Sequence, residues 1–218
     1  MIKTIIFDFD DTLYFGDVWQ DLPQFWLSAF ETLFKSKEKA QKVFDKYKID
    51  STVSHAYVVQ CLQKEHVSNL KLKKYLSDNF YFHSGGCLKV KTIDSDVLKH
   101  LAEKCNLYIV SISSEKYLDY YTRLYKINQK HFKKMCSVDI FARDKTKTPL
   151  YKRILKEEKV LPEEVLVIGN NARTDLEPAQ KLGMKTFLFE RSFEKLYDFL
   201  SKQNVLENSK IEENEREK

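Results

Sequence analysis

Two aspartates one residue apart, Asp8 and Asp10, follow an apolar run near the start of the sequence, in Phe7-Asp8-Phe9-Asp10-Asp11-Thr12-Leu13. In an extended chain, residues two apart project to the same side, so both carboxylates face one way. Two like charges at the end of a buried strand repel each other and are costly to desolvate. The pair is tolerable if a cation neutralises it or if one member holds a proton. Both conditions suit a magnesium site with one nucleophilic carboxylate and one general acid. Asp-Asp-Thr is also ordinary turn chemistry, and a polar turn that merely ends the strand uses the same residues.

Three other segments carry residue types that such a site needs. Leu107-Tyr108-Ile109-Val110 runs into Ser111-Ile112-Ser113-Ser114 ahead of a helical pattern. Hydroxyls and backbone N–H groups at a strand end and helix start make an anion site, although Ser113 or Ser114 also serves as a plain helix cap. Asp144-Lys145-Thr146-Lys147 precedes a helix containing Tyr151, Ile154 and Leu155. A lysine there neutralises a phosphate or a nucleophilic carboxylate, or is one more surface lysine in a lysine-rich chain. Finally, Val165-Leu166-Val167-Ile168 enters Gly169-Asn170-Asn171-Ala172-Arg173-Thr174-Asp175. Oxygen ligands in that turn would face the first strand's carboxylates across the carboxyl edge of a sheet. The competing reading is an ordinary helix start capped by Thr174 or Asp175.

The elements that would position these groups are legible as short apolar runs alternating with amphipathic stretches. Strands are predicted at Ile5 to Phe7, Leu107 to Val110, Val138 to Phe141, Val165 to Ile168 and Thr186 to Phe189. Helices are predicted at Val97 to Lys104, Glu115 to Tyr125, Leu150 to Glu158 and Asp175 to Leu182, with Gly183 as the C′ glycine. Runs apolar throughout indicate strands covered on both faces, hence a parallel, doubly wound, Rossmann-like α/β core. Between Tyr14 and Val90 the pattern is helical instead, with Trp19, Leu22, Phe25, Trp26, Phe30, Leu33 and Phe34 at three- and four-residue steps. This stripe is read as packing rather than as a platform for a base, a choice that extends to Tyr57. The expected organisation is therefore a core from residues 1–14 and 91–201, an all-helical insert at 15–90 and a flexible charged tail at 202–218.

Composition narrows the class. A hydrophobic share of 43% supports a substantial core, and a net charge of +5 suits a local field for an anion but no nucleic-acid stripe. Cys61, Cys87, Cys105 and Cys136 form no CxxC pair and are expected to be reduced thiols. No signal-peptide pattern and no membrane-length apolar run is present, so a cytoplasmic protein without membrane contact is expected.

Taken in order, these motifs resemble the haloacid dehalogenase superfamily. Asp8-Phe9-Asp10-Asp11-Thr12 is similar to its DxDx[TV] motif after a hydrophobic strand, and Ser111 to its strand-ending Ser or Thr. A lysine before a helix and a variant of GDxxxxD complete the set, with the helical insert where that family places its cap. Family spacing selects Lys145 over Lys147 as the third-motif lysine. The resemblance implies a phosphatase acting on a small phosphate ester, with Asp8 as nucleophile, Asp10 as general acid and base, and Lys145 offsetting charge at Asp8. It also implies phosphate binding by Ser111, Ile112 and Lys145. Mg2+ would be held by Asp8, the backbone carbonyl of Asp10, Asp175 and Asn170. The insert would act as a lid, with hinges near Tyr14 to Asp17 and Tyr81 to Cys87, and the protein would be a monomer or homodimer. A sugar-phosphate mutase shares all four motifs, and a non-catalytic relative that binds a phosphorylated ligand or a protein is the reading from a different class.

One position departs from the pattern: Asn170 stands where the family usually carries Asp. An amide oxygen ligates magnesium without adding negative charge. Asn170→Asp is therefore expected to lower the magnesium concentration that gives half-maximal activity, as measured by a metal titration of turnover.

Overall fold

The computed structural model describes residues 1–16, 22–50, 53, 55–78, 90–138 and 146–206. The chain divides into two compact units, residues 1–15 with 91–218 and residues 16–90.

The first unit is built on five parallel strands: β1 (Thr4–Phe7), β4 (Asn106–Ser111), β5 (Phe132–Ser137), β6 (Val165–Gly169) and β7 (Lys185–Leu188). They run in the order β5-β4-β1-β6-β7. β1 is central, and all four of its residues are buried, as a strand covered on both faces requires. Ile6, Tyr108, Val110, Val165 and Val167 pack on one face with Tyr151, Ile154 and Leu176. Register places Phe7 opposite Ile109 on one side and Ile168 on the other. The residues that follow all three strands therefore emerge at one edge.

Helices α5 (Ser95–Lys104), α6 (Glu115–Leu124), α7 (Thr148–Glu158), the short α8 (Glu177–Gln180) and α9 (Phe193–Lys202) belong to the same unit. Asp94, Ser114 and Ser192 cap α5, α6 and α9, their side-chain oxygens accepting backbone N–H groups of the first turn. Gly183 adopts a left-handed conformation (φ 82°) after α8. Its successor's N–H bonds back to the Ala179 carbonyl at 3.1 Å, the closing pattern expected of a C′ glycine.

The strand expected at Val138 to Phe141 lies, beyond Val138, outside the described residues. Among the described ones four features depart from expectation, the first of them β5 (Phe132–Ser137), where no strand was read. It is an edge strand whose exposed Lys133 and Lys134 break the apolar run, a common guard for a sheet edge. The helix placed at Asp175 to Leu182 begins earlier, as a π-helical turn at Ala172–Leu176, and its cap is Asn171, not Thr174 or Asp175. A two-stranded antiparallel ribbon, β2 (Tyr14–Phe15) with β3 (Lys91–Thr92), stands where no strand was read. Strands of two residues carry no periodicity. The tail does not begin at residue 202, because Val205 and Leu206 are buried at 2% and 3% exposure.

The second unit holds α1 (Leu22–Phe34), α2 (Lys37–Lys46), α3 (His55–Lys64) and α4 (Asn69–Asp78). Trp26, Ala29, Phe30 and Leu33 of α1 are buried together with Ala40, Val43, Val58, Val59, Leu62 and Leu72. Phe30 meets the ring of Phe44 edge-on at 6.0 Å. Trp26 is a packing residue at 1% exposure, while Tyr57 is 39% exposed. Trp19, Cys87, Asp17 and the segment Tyr81 to Cys87 lie outside the described residues. No helix among the described residues is long and apolar enough to cross a membrane.

Compared with a chain ending after Leu206, one ending after Lys202 lacks the buried side chains of Val205 and Leu206 and is expected to be less stable by about 3 kcal/mol, read as a lower midpoint in thermal and urea unfolding.

Candidate active site

Asp8 leaves the end of β1 with its backbone N–H bonded to the Ile168 carbonyl at 2.8 Å, so its main chain is tied to β6. Its side chain is met by Lys147, whose ammonium lies 2.6 Å from Asp8 Oδ1 and 2.8 Å from Asp175 Oδ1. Asp8, Asp175 and Lys147 are only 7%, 2% and 2% exposed. Asp175 comes from the π-helical turn after β6. Its Oδ2 accepts the Asn171 N–H at 2.9 Å and its Oδ1 the Thr174 hydroxyl at 3.1 Å. Gly169 makes room for it: a Cβ there would lie 2.6 Å from Asp175 Cβ and Oδ2. Thr12 donates to Asp8 Oδ2 over a long 3.3 Å.

Asp10 is held differently. The Tyr14 and Tyr117 hydroxyls donate to its Oδ1, the latter at 3.0 Å, and the Ser113 hydroxyl donates to Oδ2 at 2.7 Å. Between Asp10 and Thr12 the chain turns through Asp11, a non-glycine residue in the left-handed region (φ 57°). Arg191, itself at φ 55°, pairs with Asp11 at 3.0 Å.

The structure thus brings Asp8, Asp175 and a lysine together, but that lysine is Lys147. Lys145, chosen by spacing, lies outside the described residues. Lys147 immediately precedes the Thr148-Pro149 start of α7, where it occupies the N-cap position without a capping side-chain bond. A cation is poorly placed for the helix there, and that local mismatch was the available sequence signal. Ser111 ends β4 at 1% exposure with its oxygen accepting the Ser113 N–H at 3.0 Å, which leaves its own proton to donate. Ile112 is half-buried beside it, and Asn170 is exposed at the end of β6. The grip of Tyr14, Ser113 and Tyr117 on Asp10 was not anticipated, Ser113 being expected in an anion site or as a helix cap. Only Ser113 had a signal, being two residues beyond Ser111.

One lysine serves two carboxylates, and this sets the electrostatics. Burial pushes the Asp8 carboxyl up from 3.8 to about 7, since Lys147 is shared with Asp175 and Asp10 adds another like charge. Burial opposes the charge on Lys147, but its two carboxylate partners outweigh this and hold the ammonium well above the usual lysine range. Withdrawal from water raises Asp10 too, against the hydrogen bonds from Tyr14, Ser113 and Tyr117. The site is short of positive charge. The ligand atoms it offers are carboxylate, carbonyl and amide oxygens, which suit a hard divalent cation. Among the described residues no group of three or more His, Cys, Asp or Glu side chains is arranged to hold a metal. A cation here would rest on the Asp8 and Asp175 carboxylates, completed by the Asp10 carbonyl and the Asn170 amide.

The sequence profile of the haloacid dehalogenase-like hydrolases matches residues 5–189. The chain belongs to that family. No curated protein matches it significantly. Solved structures similar to this haloacid dehalogenase-like chain include a phosphatase from Thermococcus onnurineus, at 17% identity and a TM-score of 0.55 over 88% of this chain and 87% of that one. A family enzyme from Bacteroides thetaiotaomicron, an aspartate-to-alanine mutant in complex with magnesium and inorganic phosphate, gives 16% and 0.51 over 88% and 96%. A 2-haloacid dehalogenase from Pseudomonas syringae gives 17% and 0.51 over 87% and 86%. At such identities the likeness establishes the fold, which serves a phosphatase and a dehalogenase alike.

Because the folded Asp8 carboxyl titrates above its ordinary value of 3.8, its contribution to stability is full below about pH 4. That contribution is lost as pH rises through about 7. Without metal, Asp8→Asn is therefore expected to melt above the wild type at neutral pH, with the gap closing as pH falls toward 4. Melting curves across that range check this.

Proposed function

We propose that the chain is a magnesium-dependent phosphatase that hydrolyses a small phosphorylated metabolite in the cytoplasm. Asp8 would be the nucleophile and Asp10 the general acid and base. The observation that carries this reading is Asp10 itself. A halide departs without a proton, so a dehalogenase has no use for a second carboxyl two residues from the nucleophile. A phosphate ester's leaving oxygen needs that proton.

Asp8 attacks phosphorus as the bond to the leaving oxygen breaks, and Asp10 supplies a proton to that oxygen. Water then attacks the phosphorus of the aspartyl-phosphate, gives a proton to Asp10 and releases Asp8. Among the described residues, Oδ2 of Asp8 carries only the long Thr12 contact, which supports it as the attacking oxygen while Lys147 holds Oδ1. Ser111, with Ile112 and the neighbouring N–H groups, would bind the phosphoryl oxygens. The geometry supports Lys147 for the charge-offsetting role that spacing gave to Lys145. Magnesium, held by Asp8, the Asp10 carbonyl, Asp175 and Asn170, would supply the positive charge that lets the anionic nucleophile approach an anionic phosphate.

Hydrolysis of p-nitrophenyl phosphate is expected to require both magnesium and Asp8, with Asp8→Asn inactive. Asp10→Asn should lower turnover by about 10²- to 10⁴-fold. Turnover that survives Asp8→Asn would exclude this mechanism.

A further inference from the structure

Asp10 is gripped unevenly. Two phenols, Tyr14 and Tyr117, converge on Oδ1, and one aliphatic hydroxyl, Ser113, meets Oδ2. The phenols are themselves buried, at 0% and 3% exposure. Their hydroxyls lie 3.2 Å apart. Tyr14 packs on Phe9 at 5.1 Å and on Tyr125 at 4.5 Å, and Tyr117 packs on Tyr121 at 4.4 Å. A carboxyl pinned at one oxygen by two fixed donors cannot turn about its last bond, so the direction of the other oxygen is set. Both hydroxyl types donate and accept, but delocalisation into the ring makes a phenol oxygen a weaker acceptor than a serine oxygen. Oδ2 thus has the partner better suited to both the ionised and the protonated carboxyl.

Given the reading of Asp10 as general acid and base, we propose that Tyr14 and Tyr117 are positioning residues. They hold Oδ1 so that Oδ2, beside Ser113, delivers the proton to the leaving oxygen and later takes one from water. The bond from phosphorus to the leaving oxygen breaks as that oxygen gains the Oδ2 proton. The proton from the attacking water restores Oδ2. Neither tyrosine touches the phosphate in this role.

The test is a leaving-group series with the full chain and magnesium, from 2,4-dinitrophenyl phosphate through phenyl phosphate to alkyl phosphates. It compares kcat/KM for wild type, Tyr14→Phe, Tyr117→Phe and the double variant. Phenylalanine keeps the ring packing, and matching melting temperatures establish that the fold is intact. The loss is expected to grow with leaving-group basicity, at least about tenfold larger for phenyl than for dinitrophenyl phosphate. An equal loss across the series, or none, overturns the positioning role. The underlying reading is tested separately by Asp10→Asn: if that variant shows no leaving-group dependence while wild-type turnover depends on Asp8, the acid–base assignment fails and the tyrosines' role falls with it.

Discussion

Lys147 is a cation set at the N-terminal end of a helix, where the backbone already presents partial positive charge. On its own helix that placement is unfavourable by roughly 0.3–1 kcal/mol. Its ammonium lies between Asp8 and Asp175, both almost fully buried. Stripping a buried carboxylate of its partner costs about 3–5 kcal/mol, so the pairing outweighs the helix penalty several-fold. Three elements distant in sequence, β1, α7 and the turn after β6, are joined through this one group.

The rest of the core can be understood as what that junction demands. β1 must be central for Asp8 to emerge between the ends of β4 and β6. Its residues must then be apolar on both faces, as Thr4–Phe7 are buried throughout. β6 must end in a residue without a Cβ, because the Asp175 side chain fills that space. Asp175 can reach inward because the chain leaves β6 through a π-helical turn capped by Asn171 rather than a regular helix. Even so, one ammonium does not balance two buried carboxylates with Asp10 nearby. The remaining deficit is the physical ground for expecting a hard cation.

The parallel sheet and the first motif were legible because both depend on local chemistry. Ile5-Ile6-Phe7 is an apolar run that only a doubly covered strand explains, and Asp8 and Asp10 repel unless something answers them. The lysine was harder. Lys145 and Lys147 are two residues apart in a lysine-rich chain, and which one turns inward depends on where α7 begins. Boundaries are the weakest part of any periodicity argument. β5 was not legible because the exposed Lys133 and Lys134 break its apolar run, and Val205 and Leu206 are two apolar residues in a polar segment, too few to show a period. Tyr14 and Tyr117 were invisible as partners of Asp10, since a hydroxyl on a buried ring reads in sequence as packing.

In the proposed mechanism every later step depends on Asp8 accepting the phosphoryl group. The most direct measurement is mass spectrometry of enzyme acid-quenched during turnover of p-nitrophenyl phosphate, then digested and fragmented through the N-terminal peptide. The prediction is one added phosphoryl group localised to Asp8. A phosphoryl group on Asp10 or Ser111, or an unmodified Asp8 in enzyme that is turning over and trapped before release, would contradict it.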